Sequence, residues 1–301
     1  MGIFLSNLAI IKEVGAFSHK ALVNAKSLVR PGAKLLDVAN AAEKFLLDNG
    51  YTCAFPLNLS VNGEAAHYSP SVADEKVFGD KDIVKVDFGA AKDGILGDCA
   101  VTVDLSGENG KLVEAAERAL ADAIATVRAG VKVNEIGKVI AGAIESRGFR
   151  PIENLGGHGV GEHDLHSKVF VPNFDNGDET ELEDGEVVAI EPFATSGKKG
   201  LVTDSDICEI YGFVGPTPVR NPDARKVLDE IMNKYSSEPF AVRWLSNVIP
   251  EKFKLYVAVK ELWRSGALTP YPMLIGLGGG NVSQAEAELL VTGDGCEVLT
   301  K

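Results

Sequence analysis

Val29-Arg30-Pro31-Gly32-Ala33-Lys34 returns 98 residues later as Val127-Arg128-Ala129-Gly130-Val131-Lys132, and Gly50-Tyr51 returns at the same offset as Gly148-Phe149. A second echo follows in the same order: Asp82-Ile83-Val84-Lys85-Val86-Asp87-Phe88 has the pattern of Glu186-Val187-Val188-Ala189-Ile190-Glu191 followed by Phe193, at an offset of 104. Two echoes in one order make an internal repeat. Ahead of the first, apolar residues recur at three- and four-residue spacing from Leu5 to Val29. Beyond it, Asp37 is placed to cap a second helix running to Leu47, which Asn49-Gly50 ends. Each half therefore reads as two helices followed by strands, an α+β chain. Both echoed strands end in a carboxylate, and a pseudo-twofold sets equivalent strands side by side, so Asp87 and Glu191 should approach each other.

The 301 residues suffice for a sizeable core, with 45% hydrophobic and 24% charged side chains. A formal net charge of −13 with no basic block argues against nucleic acid as a main ligand. The four cysteines, Cys53, Cys99, Cys208 and Cys296, show no CxxC spacing. They suggest neither a disulfide framework nor a zinc ribbon, and a reducing, cytoplasmic setting is expected. No run reaches 18 apolar residues, and Lys12-Glu13 interrupts the N-terminal apolar stretch, so no membrane partner is expected. The proline-rich segment from about Ile210 to Pro272 holds both tryptophans, Trp244 and Trp263, and two helical patterns, Ala224 to Tyr235 and Lys252 to Ser265. It reads as a small, mainly helical insert. The expected division is residues 1–208 with 273–301 as the main domain and 209–272 as the insert. Gly278-Gly279-Gly280-Asn281 is expected to turn into a strand from Val282 to Leu290.

Asp87 and Asp98 flank the turn Gly89-Ala90-Ala91-Lys92-Asp93-Gly94, which places them on adjacent antiparallel strands in apolar contexts. Glu191, in Val187-Val188-Ala189-Ile190-Glu191-Pro192-Phe193, has the same character. A carboxylate on a buried face is costly without a cation. Lys85 could pair with Asp87 at most. Three such acids and His158, in the expected turn Gly156-Gly157-His158-Gly159, point to a shared divalent-metal site. Oxygen-rich coordination with one imidazole suits Mn, Fe, Co or Zn, and bridging carboxylates suggest two ions.

These residues resemble the type II methionine aminopeptidases, in their archaeal form. That family takes its metal ligands in the order Asp, Asp, His, Glu, Glu, matched here by Asp87, Asp98, His158, Glu191 and Glu286 in the contexts VDFG, GDCA, GGHG, AIEPF and SQAE. The resemblance implies the pita-bread fold, with its pseudo-twofold repeat and antiparallel central sheet covered by helices, and makes residues 209–272 a winged-helix-like type II insert. It implies two divalent ions (Co, Mn, Fe or Zn): Asp87 on one, His158 and Glu191 on the other, Asp98 and Glu286 bridging. It makes Glu191 the general base, sets His67 against the scissile amide and gives His166 the oxyanion. The methionine pocket falls on Phe55, Leu165, Phe193, Ala241 and Tyr271, while His163 has no role and lies at the surface. Substrates would be N-terminal methionine peptides and nascent chains, acted on by a monomer.

In one place the chain departs from the family: Glu286-Ala287-Glu288 stands where the family has Glu-His-Thr. Strand alternation would put Glu286 and Glu288 on one face, so Glu288 is a second candidate for the last ligand. Two other activities share parts of the pattern, a proline-specific dipeptidase with the same five ligands and a non-catalytic pita-bread binding protein. The first normally carries a separate N-terminal domain, and the second would be expected to have lost ligands and gained basic tails.

Overall fold

The two echoes fold alike, down to single hydrogen bonds. In the computed structural model, which describes residues 2–235 and 238–301 with side chains from residue 8 onward, the Gly32 N–H donates to the Phe78 carbonyl at 2.7 Å and the Gly130 N–H to that of Leu182 at 2.8 Å. Residues 1, 236 and 237, which fall within the expected domain ranges, lie outside the described residues. Leu35 N–H donates to Lys76 and Val133 N–H to Thr180 in the same way. Lys34 and Lys132 enter their helices with dihedrals of −75°/134° and −80°/140°, and each forms an isolated antiparallel bridge, to Val77 and to Glu181. The shared glycine is conformational: Gly32 and Gly130 have φ of +79° and +77°, a left-handed turn that a Cβ would oppose.

Helices α1 (Gly2–Leu28) and α2 (Leu35–Asp48) serve the first half, α3 (Gly110–Ile124) and α4 (Val133–Glu145) the second. In α2 the buried stripe Leu35, Val38, Ala39, Ala42, Leu46 has the spacing of one helix face, and it packs with Leu57, Leu59, Val84 and Val86. The second half repeats this with Leu112, Ala119, Ile136 and Ile140 against Val188 and Ile190. Asp37 does not cap α2. Lys34 occupies that position without a side-chain bond, and Asp37 lies in the first turn, where a negative charge suits the helix dipole.

Strand Ile83–Asp87 is the middle of a three-stranded sheet between Asn58–Val61 and Ala100–Asp104. Its counterpart Val187–Ile190 is the middle of a five-stranded sheet ordered Asp164–Pro172, Gly156–Gly161, Val187–Ile190, Ala287–Thr292, Gly295–Val298. All strand pairs among the described residues are antiparallel.

Two expectations change here. Gly156-Gly157-His158-Gly159 is strand and not turn; its glycines permit close approach, since a Cβ on Gly157 would stand 2.2 Å from the Ala189 carbonyl oxygen. The expected strand from Val282 to Leu290 is broken: Val282–Gln284 pairs with Phe193–Thr195, Ala287–Thr292 pairs with Val187–Ile190, and Ala285 and Glu286 lie between.

Beyond Glu209 a third apolar cluster unites Tyr211, Leu228, Phe240, Leu255, Leu262 and Leu268. It contains α5 (Pro222–Lys234), capped by the Asn221 side chain, α6 (Lys252–Arg264), and a three-stranded sheet with Ile210–Phe213 between Phe240–Ala241 and Leu268–Tyr271. No helix among the described residues is long and apolar enough to cross a membrane.

Candidate metal centre

Asp87 ends the middle strand of the first sheet, and Glu191 directly follows the middle strand of the second. His158 pairs with Ala189 beside it, Asp98 precedes strand Ala100–Asp104, and Glu286 sits in the break before Ala287. These five side chains converge. The His158 Nε2 lies 3.5 Å from Asp98 Oδ2 and 3.8 Å from Glu191 Oε1. Ligand atoms of Asp98, His158 and Glu286 fall within 4.8 Å of one another. The amide Nε2 of Gln284 reaches Asp87 Oδ2 and Glu191 Oε2, both at 3.4 Å, and Glu286 Oε2 at 3.2 Å. Asp87 and Glu191 thus meet across the pseudo-twofold.

One neutral amide is a poor match for this much acid. Burial pushes Asp87 up to about 7. Burial first, and the neighbouring acids second, hold Asp98, Glu191 and Glu286 well above the usual carboxylate range. Lys85 does not help, because its Nζ donates to the Asn62 carbonyl at 2.8 Å and not to Asp87. The buried Oδ1 of Asp87 has no partner.

The imidazole resolves what kind of guest fits. His158 Nδ1 stands 3.2 Å from the Gly159 carbonyl, which can only accept, so Nδ1 carries the proton. Burial holds its pKa down to about 3, so Nε2 is an unprotonated lone pair. A lone pair facing two carboxyl groups needs protons or a metal ion between them, and a histidine whose other nitrogen donates to a backbone carbonyl is oriented as a metal ligand. Oxygen donors with one imidazole fit divalent metal ions.

Glu288 lies beside the cluster with a different partner. It is buried, its Oε2 accepts from the Asp98 backbone N–H at 3.0 Å, and burial pushes it up to about 8. Ala285, Ala287, Leu289 and Val291 all pack into one core cluster, so Glu286 and Glu288 share the opposite face as strand alternation predicts; Glu286 joins the acids bonded to Gln284, whereas Glu288 is taken up by the Asp98 N–H.

A metallopeptidase family M24 model matches residues 9–231, across both echoed halves and four of the five converging residues. The chain belongs to metallopeptidase family M24. It is 44% identical over 289 residues to a methionine aminopeptidase of Archaeoglobus fulgidus, covering 96% of this chain and 97% of that one. Among solved structures, a methionine aminopeptidase from Thermotoga maritima matches at TM-score 0.70 and 25% identity, over 96% of this chain and 94% of that one. A thermophilic Arx1 shares the fold at TM-score 0.85 and 17% identity, over 99% and 91%.

In this M24 chain the cluster of four acids and His158 opens on a cavity of about 320 Å³. Phe55, Leu165, Phe193 and Tyr271 line it with His67 and His166. Ala241 does not; it is fully buried and paired with Ile210, and Ile210 supplies the wall instead. The His166 ring centroid lies 4.5 Å from that of His158, and Tyr271 stands edge-on to His67 at 5.8 Å. His67 Nδ1 lies 3.3 Å from the Pro272 carbonyl, so Nδ1 carries the hydrogen and Nε2 accepts. Burial, helped by His166, keeps this ring neutral with its pKa down to about 4. His163 is half exposed, with its Nδ1 2.8 Å from Glu238 Oε1.

Sequence reasoning missed Gln284 and Asn58. Gln284 stands in the sequence only as part of the SQAE context, and nothing local marks its amide as bonded to three acids. Asn58 lines the cavity because it pairs with Asp87 across the sheet.

Proposed function

We propose that Asp87, Asp98, His158, Glu191 and Glu286 hold two divalent metal ions at the end of a methionine-sized pocket. Hydrolytic release of N-terminal methionine from peptides is the metal-dependent activity of this cleft. The observation that carries the reading is the convergence of His158 Nε2 with buried Asp87, Asp98, Glu191 and Glu286, with no protein cation beside them among the described residues. Divalent ions there supply Lewis acidity, making water a source of hydroxide near neutral pH and polarising the scissile carbonyl.

The chain's own residues do the rest. Glu191, whose pKa burial has raised, accepts the proton of the attacking water and returns it to the leaving amine. His67 uses its Nε2 to accept the scissile amide N–H, and neutral His166 donates to the developing oxyanion. Phe55, Leu165, Phe193, Ile210 and Tyr271 shield the methionine side chain from water. Residues 209–272 form the insert that contributes Ile210 and Tyr271 to this wall, and 1–208 with 273–301 form the domain that bears the ligands. The catalyst acts as a monomer in the cytoplasm on nascent chains and peptides.

The test is metal analysis of protein purified without chelator, joined to release assays on Met-Ala-Ser and Met-Lys-Ser. Two equivalents of Co, Mn, Fe or Zn with methionine release from Met-Ala-Ser support the reading. Full metal loading with no release from either peptide overturns it.

A further inference from the structure

The cavity extends past the catalytic groups. Leu165, His166, Ser167, Lys168, Val169 and Phe170 line it as six consecutive residues of one strand, Asp164–Pro172. Successive side chains of a strand point to opposite faces, so a cavity lying over one face meets every second residue. A run of six places the cavity along the strand's edge. This strand is the outermost of the five-stranded sheet, and its pairing to Gly156–Gly161 is interrupted twice, between Asp164 and Ser167 and between Ser167 and Phe170. Among the described residues, no backbone–backbone hydrogen bond outside that pairing engages residues 164–172, and the Leu165 backbone meets only the His158 ring. A bare edge of this kind is a template for another strand.

We propose that the residues following the substrate's methionine add to this edge as an extended strand, so that the chain reads peptide substrates by main-chain pairing well beyond the scissile bond. The inference rests on the proposed function, because the occupant is chosen by continuity: one cavity holds both the metal cluster and the strand edge. Strand addition gives affinity through backbone bonds and specificity through alternate side chains. Here those are His166, Lys168 and Phe170, all exposed, with Phe170 at 43%. His166 adjoins the metal cluster. Both strands rise about 3.4 Å per residue, so Lys168 and Phe170 stand about two and four substrate residues farther on. Among the described residues no ion pair includes Lys168. In a chain of net charge −13 it offers a cation to an acidic substrate side chain.

The experiment measures kcat/KM on metal-loaded enzyme for Met-Ala, Met-Ala-Ser and longer peptides up to six residues, then for six-residue peptides N-methylated at one amide at a time beyond the second residue. Strand pairing predicts a rise in kcat/KM with length up to about five residues. It also predicts a period-two pattern, in which methylation at alternate amides costs about threefold to tenfold and the amides between tolerate it. A Glu-for-Lys exchange at the third or fourth substrate residue should be preferred about twofold to fivefold, and Lys168→Glu should reverse that preference. If methionine is released equally from all lengths and methylation has no alternating effect, the catalytic reading stands and the strand template is wrong. If no peptide releases methionine, both fall.

Discussion

Two groups of buried charge sit in this molecule and have opposite fates. Glu43 of α2 is satisfied on every side: it accepts from the Arg243 guanidinium, from Trp244 Nε1 at 2.8 Å and from the Leu57 N–H at 3.2 Å. Arg243 in turn donates to Ser69 Oγ at 2.7 Å and to the Pro70 carbonyl at 3.3 Å, which ties the 210–271 region to the loop following His67. The acids around His158 have one side-chain amide among them and, among the described residues, no cation. A pair completed from within is structural, whereas a cluster of one sign at the end of a cavity is completed from outside. The contrast separates a clamp from a centre using geometry alone.

The largest effect is expected from breaking the clamp. Arg243→Met strands Glu43 in the interior and should cost about 3–5 kcal/mol in denaturant unfolding, while the double change with Glu43→Leu should recover much of that. An Arg243→Met protein as stable as the parent would remove the distinction. At the centre the expected loss is catalytic. Glu191→Gln and His158→Ala should each lower methionine release by about a hundredfold or more while circular dichroism stays native, since the first is isosteric and the second deletes a ring that lines the cavity and belongs to no apolar core cluster. Near-parental turnover of either variant in metal-replete buffer would exclude this site.

Chelation acts on the centre and not on the clamp. Ions bound to the native state alone stabilise it by about 2.7 kcal/mol at a hundredfold excess over Kd. Their removal should therefore lower Tm by roughly 5–10 °C, reversibly on adding Mn or Co. In the metal-free protein the raised carboxylates hold protons that the unfolded chain releases, so their contribution is present at low pH and lost as pH rises through their folded pKa values, about 7 for Asp87. His67 and His158 have depressed pKa values and act oppositely, losing stability as pH falls below the unfolded value of about 6.5. Tm of the metal-free form should climb from pH 8 to 6.5 and gain less per unit below that. A flat profile would show that the acids are not preassembled.

The smallest difference lies between neighbours. Glu286→Gln should reduce bound metal, whereas Glu288→Gln keeps an acceptor for the Asp98 N–H and should change metal content little. The reverse result would mean that Glu288 is the ligand.

The sequence alone determined the repeat, because a left-handed glycine before a helix leaves a local mark that survives in both copies at Gly32 and Gly130. It determined the ligand types too, since acids in apolar strands such as Asp87 and Glu191 are costly enough to stand out. Tertiary structure decided whatever depends on which backbone lies across from which. Glycines that look like a turn at 156–159 are strand, because the crowding at Gly157 comes from Ala189, thirty-two positions away. Glu286 and Glu288 share a face, and their roles divide only by what lies across from each, Gln284 and the cluster for one and the Asp98 backbone N–H for the other. Ala241 yields the cavity wall to Ile210 for the same reason. Local chemistry is written in the order of residues, but register and facing are settled only when distant strands compete for the same hydrogen bonds.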